Sequence, residues 1–148
     1  LLLGKIQKQG RNINDLIVGE KLTITEKIED KDLLLYLGLT NDNNPLYIQH
    51  DFASKTIYKK PIVPPIMLMG IITAAISKYL PGPGAYITKQ NISFLAPAFH
   101  YSTLKFKFEV MDIDVGSNEV VISVTAKNEQ NNAVLAGTFY VNPPAIEQ

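Results

Sequence analysis

The 148-residue chain has no cysteine and no tryptophan, a single arginine (Arg11) and two histidines (His50 and His100). Without cysteine there is no disulfide framework, no thiolate zinc site and no cysteine nucleophile. Two imidazoles leave little for a metal, and neither a metal nor a cofactor is expected. The composition suits a reducing compartment, so the expected location is cytoplasmic. Fourteen basic side chains balance fourteen acidic ones, which leaves no basic face broad enough for nucleic acid or an anionic membrane. Long apolar runs are missing as well. The longest, Ile62 to Ile76, is broken by Pro64, Pro65, Gly70 and Thr73 and falls short of the roughly 18 residues a membrane span needs. It reads as a buried core helix. Leu1-Leu2-Leu3 has neither the apolar core nor the cleavage site of a signal peptide and is read as carrying no targeting message.

What is present is enough hydrophobic residue, 46% of the chain, for one domain with a real core. A polar lead of residues 1–14 is expected to be loose, a single domain to span 15–142, and 143–148 to form a tail. Leu22, Ile24 and Ile28 share one side of a strand beginning at Lys21. Leu33, Leu34 and Leu37 stand at helical spacing between Glu29 and Leu39, with Asp30 placed as N-cap and Gly38 near the exit. Asp51 to Thr56 has room for one or two helical turns. Pro65 to Leu80 is apolar almost all round, which predicts a helix covered on every side, and Pro81-Gly82-Pro83-Gly84 stops it.

Strands follow. Gly84 to Leu95 forms one, ended by Pro97. Thr103 to Val115 alternates Leu104, Phe106, Phe108 and Val110 against Lys105, Lys107 and Glu109, the pattern of a half-buried antiparallel strand. Val120, Ile122, Val124 and Ala126 alternate next, and Ala133, Leu135, Gly137, Phe139 and Val141 close the series. Turns at Gly116-Ser117-Asn118 and at Asn128 to Asn132 join the last three strands into a meander. An early strand, an apolar helix and a tail of strands with one apolar face imply an α+β layer arrangement, the helix filling a curled sheet.

The run Thr40-Asn41-Asp42-Asn43-Asn44-Pro45-Leu46-Tyr47 places a carboxylate in a polar, proline-stiffened bend directly after a helix, a common setting for chemistry. It resembles the signature of the MaoC-like, R-specific enoyl-CoA hydratase family, in which a helix runs into Gly-Asp-x-Asn-Pro-Leu-His. Asp42, Asn44, Pro45 and Leu46 match, Asn41 stands for the Gly, and Tyr47 stands for the catalytic His. The resemblance extends from Asp15 to Val141 and includes Lys60-Pro61-Ile62-Val63 ahead of the core helix and Leu80-Pro81-Gly82 after it. It implies a hot-dog fold, a homodimer with the site at the interface, and an acyl-CoA or acyl-carrier-protein thioester as substrate. The implied activity is reversible hydration of a trans-2-enoyl thioester. Rivals are a non-catalytic acyl-CoA-binding or partner subunit and a hot-dog thioesterase.

Hydration needs a proton acceptor for water, a proton donor for the α-carbon and donors for the thioester oxygen. By resemblance Asp42 is the acceptor, although an Asx-turn or helix-end cap would also use it. Tyr47 can donate a proton or orient water, or simply pack its ring in a wall. Asn44 has a positional role around Asp42. Pro65 takes the place of the family's Gly and has no N–H, leaving Ile66 and Met67 as donors in the unpaired first turn. Alternatively, Pro64-Pro65 only starts the helix. Thr73 stands for a family Ser that bonds within the site, or bonds back to its own helix. His50 and His100 read as solvated loop residues, with His50 the one candidate for a relocated base. Lys59, Lys60 and Lys89 are candidates for CoA phosphates or plain surface.

Overall fold

The computed structural model describes residues 9–145. Most of the lead and the end of the tail therefore lie outside the described residues. Five antiparallel strands form one sheet in the order β1-β3-β4-β5-β2, with β1 at Lys21–Lys27, β2 at Tyr86–Phe94, β3 at Thr103–Asp114, β4 at Glu119–Lys127 and β5 at Ala133–Asn142. The alternation in sequence is the alternation in burial: Leu104, Phe106, Phe108 and Val110 on β3 face inward with Val120, Ile122, Val124 and Ala126 on β4 and Leu135, Phe139 and Val141 on β5. Burying each of the three Phe rings stabilises the fold by about 1.5–3 kcal/mol.

Two local devices shape the sheet. The β3–β4 register shifts between Val110 and Asp112, so Met111 is extruded and the inward phase resumes at Ile113, which packs against the core. The bulge breaks the regular alternation expected through Val115. At Gly137 the backbones of β2 and β5 come so close that a Cβ would lie 2.9 Å from the Asn91 carbonyl oxygen. Glycine is required there by space alone.

Across the concave face lies helix α4, Pro65–Lys78. Leu68, Ile72, Ala75 and Ile76 recur at three- and four-residue spacing and are buried against the sheet. The opposite face is open: Ile66 is 51% exposed, and Gly70, Thr73 and Ala74 are exposed beside it. The expectation of a helix covered on every side is therefore corrected for the single chain. One sheet face can cover only one stripe of a helix. The exit is fixed by hydrogen bonds from the Leu80 and Gly82 amides to the Ile76 carbonyl, with Gly82 at φ +106°, where glycine carries no Cβ penalty.

Between β1 and α4 the chain forms three short helices: α1 at Asp30–Thr40, α2 at Pro45–Ile48 and α3 at His50–Ser54. The cap of α1 is Glu29 rather than Asp30, because the Asp32 carboxylate reaches back to accept from the Glu29 amide at 3.1 Å. Leu33 and Leu37 are half-buried, whereas Leu34 turns to solvent. Part of the stretch expected as a loose lead is docked. The Gly10 and Arg11 amides donate to Pro83 and Pro81 carbonyls at 2.8 and 2.9 Å, and Ile13 is buried. At the other end Pro143 and Pro144 are buried as well, the first accepting from the Asn118 side chain.

Candidate functional site

Helix α1 delivers Asp42. Its last turn closes with Asn41 in the left-handed conformation (φ 56°), whose amide donates to the Leu37 carbonyl. That reversal folds Asp42 back against the helix it has just left. Its Oδ1 accepts the Asn44 amide at 3.1 Å, which is the Asx-turn, and its Oδ2 accepts the Tyr36 hydroxyl at 2.6 Å. Asn44 in turn caps α2, its Oδ1 accepting from the Leu46 amide at 3.0 Å. Pro45 at the first helical position needs no amide partner. Asn44 thus joins Asp42 to α2 through its backbone amide and its side-chain oxygen.

Tyr36 was not legible as a site residue. Its phenol is raised above the ordinary tyrosine value, chiefly by donating to the Asp42 carboxylate, then by burial, with Thr40 opposing and the charges of Asp42 and Tyr47 adding to the rise. Tyr47 is half-buried in α2, and its amide donates to Asn44. Tyr36, Asp42, Asn44 and Tyr47 therefore form one cluster. The only signal in the sequence was a hydroxyl-bearing ring within the Leu33–Leu37 run.

This cluster is tied to the start of α4. The Ile62 amide donates to the Leu46 carbonyl at 3.2 Å, and the Val63 amide to Ala98 at 2.7 Å. Pro64 is then the N-cap and Pro65 the first helical residue. Of the two expected free donors only one remains. The Met67 amide donates to the Pro64 carbonyl at 3.0 Å, because the third residue of a helix reaches its N-cap carbonyl. The Ile66 amide has no acceptor among the described residues.

Other candidates fall elsewhere. Thr73 is exposed and its hydroxyl donates to the Met69 carbonyl at 2.9 Å, the back-bonding alternative. His50 opens α3 and is exposed. His100 is not a solvated loop residue: both ring nitrogens are shielded and lack partners among the described residues, since the ring lies between the β2–β3 and β4–β5 connections with Lys60 and Glu129. The Lys60 ammonium stands 4.4 Å from the Phe99 ring centroid and that of Lys89 5.1 Å from Tyr140. Lys59 is exposed.

A groove of about 580 Å³ runs between β1, α1 and α4, lined by Ile24, Leu35, Met67 and Ile71 with charge of both signs from Glu26, Asp32, Lys27 and Lys78. Tyr36, Asp42, Tyr47 and Ile66 do not line it. A smaller hollow of about 250 Å³ lies beside Pro65, under Tyr58 and Phe94.

A curled antiparallel sheet around one apolar helix, with a polar bend inserted between the first strand and that helix, defines a hot-dog protein. Residues 15–132 match the MaoC like domain, and the chain belongs to that family. Over 83 residues it is 34% identical to the (R)-specific enoyl-CoA hydratase of Rhodospirillum rubrum, covering 56% of this chain and 58% of that protein. The match therefore spans under two thirds of that relative. A 3-hydroxybutyryl-CoA dehydratase of Methylorubrum extorquens is 28% identical over 134 residues, covering 90% of this chain and 85% of the relative. Among solved structures, the unliganded R-hydratase of Pseudomonas aeruginosa superposes with a TM-score of 0.85 at 28% identity, covering 95% of this chain and 92% of that one.

Proposed function

We propose that this chain is an acyl-thioester hydratase and dehydratase, adding water reversibly across the double bond of a trans-2-enoyl thioester of CoA or of a carrier protein. The observation that carries the reading is the Asp42 carboxylate, fixed by two donors and hydrogen-bonded through the α2 backbone to the start of α4. Asp42 takes one proton from water as its oxygen bonds to C3. The π electrons move through C2 onto the thioester oxygen, which the Ile66 amide and the positive end of α4 hold. The charge then returns to C2, which takes a proton from the newly protonated Asp42 or from Tyr47, the phenolate then taking back the proton that Asp42 received. The acyl chain lies in the groove beside α4.

A second copy of the chain is part of this reading. The exposed side of α4 and the free edge of β2 are surfaces that a homodimer would cover, and we assign the protein to the cytoplasm on its cysteine-free composition.

Two substitutions favour a second reading, a non-catalytic acyl-thioester-binding subunit: Tyr47 is not an imidazole, and Pro65 has no N–H. The test is hydration of crotonyl-CoA, followed by loss of enoyl absorbance, with thiol release measured alongside. Turnover without thiol release supports the hydratase. Tight acyl-CoA binding without turnover would replace it with the binding subunit, and thiol release with a thioesterase.

A further inference from the structure

The hydrogen bonds around Asp42 form a closed circuit that starts and ends on Tyr36. The Thr40 hydroxyl donates to the Tyr36 carbonyl at 2.8 Å, the Asp42 amide donates to the Thr40 hydroxyl at 3.2 Å, and the Tyr36 hydroxyl donates to Asp42 Oδ2 at 2.6 Å. Each link is short in sequence, so the circuit forms with the end of α1. It sets both the position of the Asp42 backbone and the rotation of its carboxylate.

We propose that Tyr36 is the positioning residue of the site, holding Asp42 Oδ2 so that the carboxylate keeps one pose beside a position 47 that carries no imidazole. The proposal deepens the hydratase reading and rests on it for its catalytic part. A carboxylate has about four acceptor positions. The Tyr36 hydroxyl and the Asn44 amide fill two, leaving one on each oxygen for a water and for the proton taken from it. The Tyr36 phenol is raised above the ordinary tyrosine value chiefly by donating to that carboxylate, so the donor is in place at neutral pH. Among the described residues, Tyr47 is the other titratable group whose charge acts on Tyr36. Among the described residues no Lys, Arg or His forms an ion pair with Asp42. Neutral donors alone fix the carboxylate.

The test is Tyr36→Phe, which keeps the ring and removes the hydroxyl. Two readouts are taken on the full chain: steady-state hydration of crotonyl-CoA, resolved into kcat and KM, and the carbon-13 NMR signal of the Asp42 carboxyl. Without the hydroxyl the carboxylate is free to rotate, so the Asp42 signal shifts and broadens. A loosened catalytic group costs about 10- to 100-fold in kcat, with KM changed less than about threefold. A merely structural tyrosine would lower the thermal midpoint and leave the Asp42 signal in place, which would overturn the proposal. So would a kcat unchanged by the variant in an active enzyme. If the wild-type chain shows no hydration while the Asp42 signal still moves, the hydratase reading fails and the positioning of Asp42 by Tyr36 stands.

Discussion

The Ile62 amide donates to the Leu46 carbonyl at 3.2 Å, so the bend that carries Asp42 and the segment that starts α4 are one hydrogen-bonded unit. A carboxylate on the bend is thereby held at a constant offset from an amide at the helix start. Such a fixed relation is what charge stabilisation requires.

Asp42→Asn keeps an oxygen for the Asn44 amide and removes the carboxylate that the proposed hydration takes as its proton acceptor. Hydration of crotonyl-CoA is expected to fall by about 10²- to 10⁴-fold, while circular dichroism and the thermal midpoint stay close to wild type. Equal turnover in the variant would exclude Asp42 as the base.

Restoring the two missing parts tests whether they limit the site. Tyr47→His combined with Pro65→Gly supplies an imidazole and an N–H, and an increase in kcat for crotonyl-CoA is expected. Pro65→Gly alone should lower stability by about 0.4–1 kcal/mol, because glycine gives the unfolded chain more freedom. A urea titration separates the two effects.

Asn44→Ala removes the α2 cap. A loss of about 0.5–2 kcal/mol is expected from such a cap, read as a shift of the urea midpoint. Alanine keeps the backbone amide that donates to Asp42 Oδ1, so turnover of the folded variant should stay within a few-fold of wild type; a larger loss would show that the cap itself holds Asp42 in place.

Alkaline pH should destabilise the fold through two tyrosines. Tyr36 and Tyr101 are both raised above 10.0 in the folded chain, first by hydrogen bonds to Asp42 and Asp30 respectively. The folded state therefore binds more protons between the unfolded and folded values. Their contribution is complete below pH about 10 and is lost as the pH rises from there through the folded values. Thermal midpoints measured from pH 8 upward should bend downward near 10, and Tyr36→Phe with Tyr101→Phe should flatten that bend. Exposure and solvent screening keep the effect small.

Much of the fold was legible because a strand that is half-buried must alternate and a packed helix must repeat every three to four residues. Leu104 to Val110, Val120 to Ala126 and the stripe Leu68, Ile72, Ile76 show it. Composition could not say what covers the far side of α4, since Ile66 and Ala74 are as apolar as their buried neighbours. Nor could it reveal the Met111 bulge, which depends on pairing with β4, or the shielding of His100 by two connections. In the site, Asp42 and Asn44 stood out through their local context. Tyr36 did not, because its partnership with a residue six positions on exists only once Asn41 turns left-handed and folds the bend back onto α1.

The strand order carries a consequence for the sequence of events in synthesis. Strand β2 leaves the ribosome directly after α4, yet its partner is β5, the last strand, with β3 and β4 made in between. At about 5–20 residues per second it waits several seconds beside an apolar helix whose cover is incomplete. The nascent chain is most vulnerable to association with its neighbours in that interval, and completion of the final hairpin ends it.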